Sequence, residues 1–149
     1  MSHFAKIEDG IVTQVIVAEQ DVIDSGLFGN PADWVQTSYN TKLNQHHDHA
    51  TGETDAGTPM RGNFASIGHI YDSENDVFYP QKPFPSWVIN TNKWIWTAPV
   101  PYPTDTGTEE APKYYTWDEE TISWVETTDP VVTQPNDPLP PDPLPPTRP

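Results

Sequence analysis

The sequence predicts an all-β protein: a small domain of short antiparallel hairpins with Pro-rich links, followed by an extended, polyproline-like C-terminal arm. Three observations carry that expectation. The turn dipeptide Asp9-Gly10 precedes a β-branched run of Ile11, Val12, Val15, Ile16 and Val17. Aromatic residues recur seven apart across polar segments, as Tyr71 and Phe78, Trp87 and Trp94, and Trp117 and Trp124. Nine of the 18 prolines crowd into residues 130–149.

Taken in order, "FAKIEDGIVTQVIVAEQD" reads as a hairpin, because Gly10 accepts a positive φ without steric cost. One short helical turn fits residues 21–27, with Asp21 as its cap. Residues 33–39, "DWVQTSY", read as a strand that alternates Trp34, Gln36 and Ser38 with Val35, Thr37 and Tyr39. Residues 41–60 are polar, without period, and predict a long loop. The apolar residues of 61–72 sit at spacings open to a helix, but two glycines and no cap favour extended or irregular structure.

The three aromatic pairs then define three hairpins. Each pair flanks a polar segment, "DSENDV", "VINTNK" or "DEETIS", and would meet across the strands. Trp96, two residues past Trp94, is expected on the same strand face. The links "PQKPFPS" and "APVPYPTDTGTEEAPK" hold too many prolines for central strands, since proline donates nothing to a ladder. The domain is therefore set at 1–128 and the arm at 129–149. In the arm "DPLPP" occurs twice in succession, at 137–141 and 142–146. Such sequence favours polyproline II and suits aromatic-lined grooves. Pro138, Leu139, Pro140, Pro141, Pro143, Leu144, Pro145 and Pro146 are the expected docking residues.

Composition narrows function. Hydrophobic residues make up 34% of the 149, so six Trp, six Tyr and five Phe must supply much of the core. Aliphatic residues are sparse between 60 and 126. That assigns Tyr71, Phe78, Trp87, Trp94, Trp117 and Trp124 chiefly to the core, with a sugar-stacking platform as the lesser reading. The net charge of −15 and the lack of any basic run argue against nucleic acid and against an anionic membrane surface. With no Cys there is no disulfide and no thiolate chemistry, which suits a reducing cytoplasm. The start "MSHFAKIEDG" has no signal-peptide apolar region, so no export by a signal is expected.

The sharpest cluster of metal-ligating types is His46, His47, Asp48 and His49, which Glu53, Asp55 and His69 could in principle join. Neighbours on an extended loop point in alternate directions, so a solvated loop is expected and metal binding is the lesser alternative. The acidic pairs Glu109-Glu110 and Glu119-Glu120 fall in turns and links, where charge serves solvation. No G-x-S-x-G elbow or phosphate-cradling Gly loop occurs, and neither an enzyme nor a cofactor is expected.

Five blocks in order, "HFAKIEDGIVTQVIVAEQD", "WVQTSYNT", "RGNFASIGHIYDSENDVFYPQKPFPSW", "APVPYPTD" and "YTWDEETISWV", resemble small virion-associated structural proteins of tailed bacteriophages, especially those of marine bacteria and cyanobacteria. The resemblance spans roughly residues 2–126. The loop at 43–58 and the Pro-rich arm lie outside it. It implies a structural protein without catalytic residues, made in the host bacterial cytoplasm and present in several copies per particle. The expected partners are other virion proteins. The negative charge suits the outer surface, as a capsid decoration or cement protein docked to the major capsid protein. The alternative is a tail component: a fibre, fibre adaptor or baseplate attachment with a receptor-binding surface.

Overall fold

The computed structural model describes residues 1–127, so the arm expected at 129–149 lies outside the described residues. The described residues divide into two units, Met1–Pro99 and a second that begins at Val100. Both are built from short antiparallel strands.

In the first unit, β1 (Ser2–Glu8) and β2 (Ile11–Ala18) form the expected hairpin. Asp9 and Gly10 both take positive φ, 52° and 79°, the turn geometry that matches strand twist. Its register slips once: Lys6 faces Gln14 and Ile7 faces Val12, which leaves Thr13 as an extra residue in β2. This bulge explains why the β2 sequence does not alternate. Val12 and Val15 are three apart, yet both reach the core of Ala5, Ala65 and Phe78. On the opposite face, Phe4, Ala18 and Trp34 close over Ile23, with Ile16 packed against them.

Ile23 comes from α1 (Gln20–Asp24). The helical turn is present, but Asp21 is not its cap. Glu19 holds that position without a side-chain bond, because its carbonyl already accepts from Val22 and Ile23. A single 3-10 turn (Pro31–Asp33) then leads into β3 (Trp34–Thr37), which pairs with the free edge of β1.

Residues 41–60 are more ordered than their sequence predicts. Strands β4 (Thr41–Lys42) and β5 (Gln45–His46) make a hairpin closed by Leu43 and Asn44, at φ 53° and 58°. No glycine marks that turn. It is held by tertiary bonds: Leu43 N–H donates to Asn63 Oδ1 at 2.9 Å, and Asn44 N–H to the Gly62 carbonyl at 2.7 Å. The stretch 61–69 is irregular, as expected, and places Ala65 in the core.

Strands β6 (Ile70–Asp72) and β7 (Val77–Tyr79) complete the main sheet, in the order β3-β1-β2-β6-β7. Tyr71 faces Phe78 with ring centroids 5.0 Å apart, as the spacing predicts. Strands β8 (Val88–Asn90) and β9 (Ile95–Thr97) form the next hairpin, and here the expected pairing fails. The facing residues are Ile89 and Trp96, not Trp87 and Trp94. Trp87 precedes the strand and is buried, while Trp94 sits in the turn, so Trp94 and Trp96 do not share a strand face.

The second unit contains β10 (Tyr114–Asp118) and β11 (Ser123–Thr127). Trp117 faces Trp124 at 5.2 Å, as expected. Tyr102 from the Pro-rich link packs edge-on against Trp124 at 4.9 Å, and the Trp124 indole N–H donates to the Val100 carbonyl. Proline fixes the link, and aromatics tie it to the hairpin. Among the described residues, no helix is long and apolar enough to cross a membrane.

Candidate functional site

Three hairpins share one local design. Each first strand ends on an Asx residue: Asp72, Asn90 or Asp118. The Asx side chain accepts backbone N–H groups of the turn, from Glu74 and Asn75, from Asn92 and Lys93, and from Glu120. Four residues on, the chain turns left-handed at Asp76, Trp94 and Ile122, with φ of 54°, 54° and 51°. The Asx residue pairs with the residue five ahead, and the facing side chains follow from that register. In the second hairpin this phase, rather than aromatic spacing, decides the pairing and puts a tryptophan at the strained corner.

That corner is held from several sides. The Trp94 ring stacks on Tyr79, 5.9 Å away and inclined by 13°. Its carbonyl accepts from Asn63 Nδ2 at 2.9 Å. Asn63 is buried and uses its whole amide, since Nδ2 also donates to the Phe78 carbonyl at 2.9 Å. One side chain thus joins the β4–β5 turn, β7 and the start of β9. Nothing in "RGN" announces this role at sequence level. Beside it, Asp76 accepts from the Tyr71 hydroxyl and from Arg61 Nε at 2.9 Å, and the first of these, then Arg61, hold its carboxyl below the usual range. Burial, then the same carboxylate, pushes the Tyr71 phenol up.

The histidine stretch is not gathered into one centre. His46 Nδ1 lies 2.6 Å from Asp55 Oδ1. His47 spans the loop, with Nδ1 3.3 Å from the Gly52 carbonyl and Nε2 3.2 Å from that of Lys42. Asp48 Oδ1 accepts from the Ala50 and Thr51 backbone N–H groups and shapes the turn. The His49 ring meets Tyr39 edge-on at 5.7 Å. Among the described residues, no group of three or more His, Asp or Glu side chains is placed to hold a metal ion. Each of the four instead orders the loop. The backbone N–H of Gly57, then His46, hold the Asp55 carboxyl below the usual range.

What this loop does form is a shallow depression walled by Tyr39, Asn40, Lys42, His47, Asp48 and His49. Tyr39 is 53% exposed although it carries the largest apolar surface of the set. Sequence reasoning placed Tyr39 only on a strand face and missed it as a lining residue. The signal available was an aromatic directly before a polar loop.

The remaining candidates fall elsewhere. Phe78, Trp87 and Trp117 are buried, and Tyr71, Trp94 and Trp124 are half-buried. Their chief role is packing. Glu119 accepts the Trp117 indole N–H at 2.8 Å, while Glu109 and Glu110 are exposed. Docking residues 138–146 lie outside the described residues. Comparison with protein-family models, with curated proteins and with solved structures gives no match to this chain.

Proposed function

We propose that this chain is a structural protein of a tailed-bacteriophage virion, mounted on the outer surface of the capsid as a decoration or cement protein. The observation that carries the reading is where the resembling blocks fall. They take in several elements of the fold: the β1–β2 hairpin, β3, the Asn63 clamp with β6 and β7, the link carrying Tyr102, and most of the β10–β11 hairpin. In this reading the shared blocks are the ones that build the domain, and the virion role follows from the sequence resemblance.

Physical chemistry supports the same reading. A net charge of −15 suits a surface facing solvent and opposes one facing packaged DNA. A cement protein works by burying interface between subunits, and stable interfaces bury on the order of 1,600 Å². In this reading the Pro-rich segment adds to that area by docking on a neighbour through residues 138–146, and no catalytic step is assigned.

Quantitative mass spectrometry of purified virions tests it. Hundreds of copies per particle are expected. A low copy number in multiples of three or six would move the chain to the tail, as a fibre, adaptor or baseplate attachment. Absence from the particle would overturn the virion reading. Deleting residues 130–149 should lower incorporation.

A further inference from the structure

We infer that the depression beside Tyr39 is a binding site for a neutral saccharide. Four observations converge there. First, it offers an aromatic surface at a shallow concavity, with Tyr39 over half exposed beside the polar side chains of Asn40, Lys42, Asp48 and His49. Sugars present the same pairing, a C–H face that packs on a ring and a rim of hydroxyls that need partners.

Second, the ring is oriented before any ligand arrives. His3 meets it at 5.2 Å and 61°, and His49 at 5.7 Å and 75°. The loop opposite is pinned by the His46–Asp55 contact and by His47 between two carbonyls. A preformed wall loses little entropy on binding, which matters for a ligand of weak intrinsic affinity.

Third, the polar groups include both hydrogen-bonding senses. The Lys42 ammonium donates, the Asp48 carboxylate accepts, and a hydroxyl does both. The Asn40 amide adds a further acceptor. Its Oδ1 is enclosed and has no hydrogen-bond partner among the described residues. Leaving a buried acceptor unpaired is costly. A ligand hydroxyl that reached this oxygen would relieve that cost.

Fourth, charge selects the ligand class. A chain of net −15 repels acidic glycans at long range, so the favoured ligand is uncharged. The site is made by the loop at 43–58, which lies outside the resembling blocks, together with Lys42 and with Tyr39 and Asn40, which lie inside one. The inference stands on local geometry and does not depend on whether the chain belongs to a virion.

The test uses the isolated full chain on an array of neutral and acidic oligosaccharides, followed by 15N–1H NMR titration with the best neutral binder. Saturable shifts are expected at residues 39–52 and at the Asn40 side-chain amide. Tyr39→Ala should weaken binding by about tenfold or more, and Tyr39→Phe by less than about threefold, because the ring supplies the contact. An unchanged remainder of the spectrum shows that each variant is folded. Binding to no neutral glycan, binding to acidic glycans alone, shifts centred elsewhere, or undiminished binding by Tyr39→Ala would each overturn the site.

Discussion

Gly62 is the floor on which Trp94 lies. A Cβ at Gly62 would stand 3.1 Å from Cδ1 of the indole, and Gly62 itself is at φ 76°. Any side chain there meets two penalties, a tight contact and a left-handed backbone. Gly62→Ala should therefore destabilise the protein by about 1–2 kcal/mol. A urea midpoint equal to wild type would show that Trp94 does not depend on this floor.

Replacing Asn63 should cost more. Asn63→Ala leaves an N–H and two carbonyls short of a partner, each worth roughly 1 kcal/mol or more when buried, so a loss of about 3 kcal/mol is expected. Asn63→Asp should be worse still, because a carboxylate oxygen would face two carbonyl oxygens. Equilibrium urea unfolding of both variants checks the order.

The Trp117–Trp124 contact, at 5.2 Å and 72°, is suited to a double-mutant cycle. With Leu at each position, the coupling should be about 0.5–1.5 kcal/mol. Strict additivity would reduce the pair to separate burial.

Acid should loosen the protein through His69 first. Burial lowers its pKa from the usual value, and its Nδ1 accepts the Ser66 N–H, which requires the neutral ring. Below about pH 6.5 the unfolded chain binds the proton and the folded chain resists it. The stability from His69 is thus present above that pH and is lost as pH falls through its lower, folded value. Asp72 and Asp76 have depressed carboxyls, so their contributions are lost only further into acid. Urea midpoints at pH 7.5 and 5.5 should differ less in His69→Gln than in wild type. Equal slopes would remove His69 as the cause.

Much of the fold was legible because it is local. Asp9-Gly10 announces its turn, and Tyr71/Phe78 and Trp117/Trp124 announce their pairings. The same spacing misled at Trp87 and Trp94, where Asn90 sets the register and pushes Trp94 into the corner. Asx residues were the better guide, since their side chains fix where each strand ends. The order in residues 41–60 was hidden for another reason. Asn44 suits its left-handed position, but Leu43 takes one normally left to glycine or asparagine, and Asn63 and Gly62 grip the turn from outside. Tyr39 was visible as an aromatic, but its exposure depends on a loop whose path no local pattern encodes.

The repeated Asx hairpin also orders events in time. Each closes a turn of four residues, so its closure entropy is small and it can form within microseconds. The bonds of Asn63 join residues 20, 15 and 31 positions away. They can form only once the separate hairpins have met. The chain is therefore built to fold in two tempos, with fast local closures and one late clasp, and changes at Asn63 should slow folding less than they speed unfolding.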